Sequence, residues 1–151
     1  MVADPQGAPF YVMKPIPPAD KPDAKSDLFS PDAVQRVSWN ELNSSDPGAA
    51  RDFYGRHFGW TSDDFMPMGE LGEYRFLDHH GVRLGALCGL MGQQQPKWRY
   101  YVRVPSISKA KEIAEAKGGM IHMGPQQVPG GDWIVIGGDP QGAEFALVGG
   151  E

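Results

Sequence analysis

The side chains best suited to chemistry fall at alternate positions of two strand-like segments. Trp39, Glu41 and Asn43 alternate in Val37-Ser38-Trp39-Asn40-Glu41-Leu42-Asn43, and Arg99, Tyr101 and Arg103 alternate between Trp98 and Val104. In extended chain such spacing puts each trio on one face. A carboxylate on an inner strand face, against an apolar wall, suits general-base chemistry or acceptance of a ligand's donor. Guanidinium forks match carboxylates and phosphates, and the Trp and Tyr rings offer stacking area. Glu41 is therefore the candidate catalytic group. A purely structural use stands beside it, in which Glu41 pairs with Arg99 or Arg103 and braces the sheet.

The remaining reactive types form no constellation. His57 falls on a helix, His79 and His80 at a turn where neighbours diverge, and His122 in a strand beside Trp133 as a rim candidate, so none makes a chelate pair. Cys88, the single cysteine, lies in the apolar run Ala86-Leu87-Cys88 and reads as a buried, inert thiol. One cysteine permits neither an intramolecular disulfide nor a thiolate cluster, which fits a reducing compartment and a cytoplasmic setting. A Gly-Lys phosphate loop, a Gly-x-Ser-x-Gly elbow and a dinucleotide fingerprint are all missing, which disfavours nucleotide hydrolysis, serine hydrolysis and nicotinamide chemistry.

The elements that must position these residues are legible from caps and periodicity. Ser45-Asp46-Pro47 supplies a helix cap and a proline for the first helical position, and Ala50, Phe53, Tyr54 and Phe58 form an apolar stripe ending at Gly59. This predicts a helix over 47–58. Strand candidates come next at 60–65, 74–78 and 82–90. The order then returns: a strand at 98–104, a helix capped by Ser106 with Ile107, Ala110, Ile113 and Ala114 inward, and strands at 120–123, 133–136 and 144–148. A shift of sixty places superposes Asp46 on Ser106, Ala50 on Ala110, Phe53 on Ile113 and Gly59 on Gly119, the mark of two βαβββ modules, 34–92 and 97–151.

A more literal repeat links the two ends. Asp4-Pro5-Gln6-Gly7-Ala8 matches Asp139-Pro140-Gln141-Gly142-Ala143, each leading into an apolar strand. Residues 1–13 thus read as an orphan last strand, expected to pair with an exposed sheet edge and to offer a route to a homodimer. Residues 14–33, with Pro15, Pro17, Pro18, Pro22 and Pro31, read as a linker or arm.

A chain of 151 residues buries about two thirds of its unfolded surface, so a core forms without staples. Fourteen basic against nineteen acidic side chains leave a net charge of −5, with no basic run to track a nucleic acid backbone. Neither a signal peptide nor an apolar run of about eighteen residues is found, so no membrane is expected as a partner.

The Ser-Asp-Pro cap, the segment Phe53-Tyr54-Gly55-Arg56-His57-Phe58-Gly59-Trp60 and the Asp-Pro-Gln-Gly-Ala-x-Phe ending make residues 34–151 resemble the vicinal oxygen chelate superfamily. That group includes glyoxalase I, bleomycin-resistance proteins and extradiol dioxygenases, and the chain looks in particular like one domain of the tandem antigens labelled hydroxylases. The resemblance implies an α+β fold in which two βαβββ modules form a curved mixed sheet around a cleft, with the helices on its convex side.

It also implies a divalent metal on the concave face, held from the first and last strand of each module. Those positions fall on Trp39, Arg99, near Gly85 and on Ala146, none of which ligates, so neither metal nor cofactor is expected. With Trp39 marking the concave face, Trp39, Glu41, Asn43, Arg99, Tyr101 and Arg103 would line the cleft. The expected function is metal-independent binding of a small molecule. Two alternatives stay open: a metal-dependent lyase, isomerase or dioxygenase of the glyoxalase type, and an oligomerising module with a vestigial cleft.

Overall fold

A computed structural model describes residues 1–151, which divide into two compact units, Met1–Phe29 with Asn40–Trp98 and Ser30–Trp39 with Arg99–Glu151. The architecture is mixed α+β. A small hairpin, β1 (Val2–Ala3) and β2 (Pro9–Phe10), precedes β3 (Val37–Asn43), α1 (Pro47–Phe58), β4 (Phe65–Pro67), β5 (Glu73–His79) and β6 (Val82–Cys88). The second series is β7 (Lys97–Val104), α2 (Ile107–Ala116), β8 (Met120–Gln127), β9 (Trp133–Gly138) and β10 (Glu144–Gly149).

The first unit orders its strands β4-β5-β6-β3, with β3 parallel to β6 and the other neighbours antiparallel. The second orders β7-β10-β9-β8, with β7 parallel to β10. The sixty-residue repeat is a repeat of register: Glu41 faces Ala86 and Ala86 faces Phe76, while Tyr101 faces Ala146 and Ala146 faces Ile136.

Helix α1 has the predicted bounds, with Asp46 accepting from the Ala49 N–H at 3.0 Å and Gly59 in the left-handed conformation that ends it. In α2 the Ser106 hydroxyl accepts from the Lys109 N–H at 3.3 Å, but the helix stops at Ala116 and the positive-φ residue is Gly118, not Gly119.

The strand expected at 60–65 is a correction: only Thr61 bridges to Asp78, and the ladder begins at Phe65. Trp60 is drawn instead into the core, stacked on Tyr54 at 5.2 Å, and the next residues, Ser62-Asp63-Asp64, favour no strand. Conversely β8 runs past the expected Met123 to Gln127, with register shifts on either side of Met123.

In the first unit Leu42, Leu77, Leu87, Ala50 and Tyr54 form the core on the helix side of the strands. Tyr54 sits at the centre of an aromatic cluster with Phe10, Phe53, Phe58, Trp60 and Trp98, ring centroids 5.1–5.9 Å from it. Its hydroxyl accepts from the Trp98 indole at 3.0 Å and donates to the Asp4 carboxylate at 3.1 Å. The N-terminal segment is anchored here as well: β1 pairs with β2, Ala8 is fully buried, and Phe10 lies against Phe53 and Phe58 of α1. Residues 14–28, by contrast, are exposed and form no helix or strand. No helix is long and apolar enough to cross a membrane.

Candidate functional site

Strand alternation gives the first unit a polar patch opposite its leucine core. With Leu42 turned to α1, its neighbours Glu41 and Asn43 face the other way. Opposite Glu41 stands Ala86, which in turn stands opposite Phe76 on the next strand. Glu41 is only 9% exposed. Its carboxylate accepts from the Tyr74 hydroxyl at 2.9 Å and from the Asn43 amide at 3.4 Å.

The Asn43 amide nitrogen also reaches the Cys88 sulfur at 3.2 Å and the Gly89 carbonyl at 3.5 Å. Its side-chain oxygen is buried with no hydrogen-bond partner, which leaves an unused acceptor beside Glu41. Cys88 is buried, as expected, and its thiol donates to the Leu42 carbonyl at 3.7 Å. The patch thus offers acceptors, a carboxylate and an amide oxygen, set among Phe76, Ala86 and Cys88.

The second unit carries the other four candidates. Tyr101 is buried in a cluster with Ile136, Ala146 and Val148, against which Trp39 and Ile134 pack. Arg99, 7% exposed, forks onto Glu144 at 2.9 and 3.4 Å. Arg103 forks onto Asp132 at 2.7 and 3.2 Å and donates to the Pro31 carbonyl at 2.8 Å. Its hydrogen bonds to Asp132 hold the Arg103 guanidinium above its ordinary range, against partial desolvation. The Arg103 backbone also receives the Gln35 N–H and donates to the Arg36 carbonyl, so residues 31–36 are strapped to β7.

Both forks that the sequence offered to a ligand anion hold protein carboxylates. Sequence reasoning reached Trp39, Glu41, Asn43, Arg99, Tyr101 and Arg103 but missed Tyr74 and Asp132. Tyr74 had a signal, since it alternates with Phe76 on the strand next to Ala86. Asp132 had none, because it precedes β9 in a Gly-Gly-Asp loop where alternation does not apply.

The metal implied by the family resemblance can be tested against these residues. A Cβ at Gly85 would collide with the Asn40 backbone, so no ligating side chain fits there. The register makes Ala86, one place on, the counterpart of Ala146, and neither can coordinate. Trp39 and Arg99 fill the first-strand positions, and Glu144, the nearest carboxylate to the last one, is held by the Arg99 cation. No three His, Cys, Asp or Glu side chains converge to hold an ion. The residues present do not fit the metal.

No family model matches the chain. Two curated relatives, each named "Putative glyoxylase CFP32", from Mycobacterium bovis and Mycobacterium tuberculosis, are 26% identical over 114 residues, 73% of this chain and 44% of theirs. The chain therefore spans less than half the length of the curated relatives it matches. Among solved structures, a Streptomyces coelicolor methylmalonyl-CoA epimerase in complex with 2-nitronate-propionyl-CoA superposes with a TM-score of 0.59 at 15% identity, over 78% of this chain and 99% of that one. The methylmalonyl-CoA epimerase of Mycobacterium tuberculosis gives 0.56 at 14% identity, over 79% and 92%. A hypothetical protein of Bacillus halodurans gives 0.60 at 11%, over 77% and 94%. At these identities the structures bear on the fold, and an activity does not travel with a fold. The doubled βαβββ register and these superpositions give the chain a glyoxalase-like fold, and the sequence likeness to the glyoxylases bears out its resemblance to the vicinal oxygen chelate superfamily.

Proposed function

We propose that this protein binds a small organic molecule without a metal, through the strand faces turned away from its helices. The observation that carries the reading is the buried patch of Glu41, Asn43 and Tyr74, an acceptor-rich site among apolar walls, in a chain whose ligand positions hold Trp39, Arg99 and two alanines. Pockets of this make-up, apolar with a few placed polar groups, orient small ligands. In the second unit, taken by itself, Trp39 packs on the buried Tyr101 cluster and the Arg99 and Arg103 cations are held in ion pairs. The ligand class that fits is an amphipathic molecule with an N–H or O–H donor for Glu41. A cytoplasmic location accords with a single, buried cysteine.

A thermal-shift screen against metabolites and antibiotics tests the reading. At least one compound is expected to raise the melting temperature of the parent protein, with the rise lost in Glu41→Gln. A screen in which no compound shifts the parent refutes it.

One observation favours a second reading, proton transfer by Glu41. A buried carboxylate already engaged by a tyrosine hydroxyl has the composition of an acid–base pair. Exchange of a carbonyl ligand's α-proton with solvent deuterium, lost in Glu41→Gln, would distinguish it from binding alone.

A further inference from the structure

The chain that follows α1 stays off the strand ladder and passes close to the helix it has just left. Trp60 is held by stacking on Tyr54, Thr61 alone bridges to Asp78, and strand pairing resumes only at Phe65. The approach is close because Gly55 has no side chain: a Cβ there would stand 3.3 Å from the Trp60 carbonyl oxygen. Between the helix and this segment lies a cavity of about 460 Å³, lined entirely from the first unit. It shares no residue with the Glu41 patch.

The cavity carries opposite charges that do not meet. Arg51, Asp52, Gly55 and Arg56 recur at i, i+1, i+4 and i+5, which sets them on the helix face away from the buried Ala50 and Tyr54. Asp63 lines the cavity from the segment after the helix. Arg51 meets Asp52 at 3.5 Å in an exposed pair, whereas Arg56 and Asp63 form no ion pair, with each other or with any other side chain. Ser62, 7% exposed, lines the same cavity, and its hydroxyl is buried with no hydrogen-bond partner. Such orphaned polar atoms are uncommon in folded chains and call for a partner from outside the protein. Trp60, partly exposed, supplies an aromatic wall.

The geometry points to a second binding site here, for a free amino acid with a flat apolar side chain. Two arginines against two aspartates leave no net charge in the cavity, so a simple anion or cation satisfies one sign and meets repulsion from the other. A zwitterion answers both: Arg56, with Arg51 near it on the helix, takes the carboxylate, and Asp63 takes the ammonium. The Ser62 hydroxyl gains its missing partner, and the side chain lies against Trp60. The volume falls within the range of small-molecule sites. Because the charged groups are exposed, the affinity is modest and falls as salt is added.

The probes are L-phenylalanine, its N-acetyl derivative, which lacks the ammonium, and its amide, which lacks the carboxylate. Each is titrated to millimolar concentration into the 151-residue chain at mildly acidic pH, where free amines stay protonated, while backbone amide resonances are followed. Saturable shifts at Gly55, Arg56 and Ser62 with L-phenylalanine, and binding weaker by about threefold or more for each derivative, the scale of one exposed ion pair, support the inference. Arg56→Gln is expected to abolish the preference for L-phenylalanine over its amide, and Asp63→Asn the preference over the N-acetyl derivative. Both residues are exposed, so both variants should melt with the parent, and the three probes decide on the parent alone if a variant does not fold. Shifts that do not saturate, shifts at Glu41 and Tyr74 in place of these residues, equal binding of all three probes, or preferences that survive both substitutions overturn it.

Discussion

Tyr54 and Asp4, fifty residues apart, share a buried hydrogen bond of 3.1 Å that fastens the N-terminal hairpin to the first helix. Tyr54→Phe strips one partner from the Asp4 carboxylate and one from the Trp98 indole. The expected loss is about 1–3 kcal/mol of unfolding free energy, read from the urea midpoint. Deletion of residues 1–10 costs more, since it also uncovers Phe53 and Phe58. An unchanged midpoint in the deletion would show that the hairpin does not hold.

Gly85→Ala puts a Cβ into the Asn40 backbone at the first rung of the parallel β3–β6 pair. Relief requires the strands to part, and the expected penalty is about 3 kcal/mol or more. Circular dichroism melts check it, with Gly81→Ala, a turn site with open space around it, as the milder comparison.

Arg103 joins three elements, so its loss should be local before it is global. Arg103→Ala removes the Asp132 fork and the Pro31 contact. Faster amide exchange at Gln35 is the expected outcome, with a stability loss of about 1–2 kcal/mol because the pair is partly exposed. Asp132→Asn, which keeps one acceptor, should show a smaller effect.

Partial desolvation of the half-exposed Tyr100 phenol pushes it up from its ordinary value of 10.0. The folded chain therefore keeps this proton where the unfolded chain releases it. Its contribution is fully present below the unfolded value and is lost as pH rises through the folded one. Urea midpoints measured above pH 10 should fall less steeply for Tyr100→Phe than for the parent, and parallel profiles would contradict the assignment.

Much of this architecture was legible in the residues because local signals agreed with the period. Asp46-Pro47 and Gly59 bracket α1 as their chemistry requires, and the sixty-residue shift reappears as shared register, Glu41 with Ala86 and Tyr101 with Ala146. The stretch after α1 was misread because Trp60 is apolar and aromatic, qualities a strand and a core plug share. Only packing against Tyr54 decides between them. The candidate site was legible one strand at a time. Alternation found Glu41 and Asn43, while Tyr74 and Asp132 become partners only through long-range register and a loop, which no single segment encodes.

The most direct test of metal-free binding is the affinity of a ligand from the thermal-shift screen, measured by calorimetry on protein stripped with EDTA and again after addition of Zn, Ni, Mn or Fe. Metal-free binding through Glu41 and Asn43 predicts the same affinity in every case, with a weakening of about tenfold or more in Glu41→Gln, the scale of one lost charge-assisted hydrogen bond. Binding that vanishes with EDTA and returns with one stoichiometric metal would contradict it.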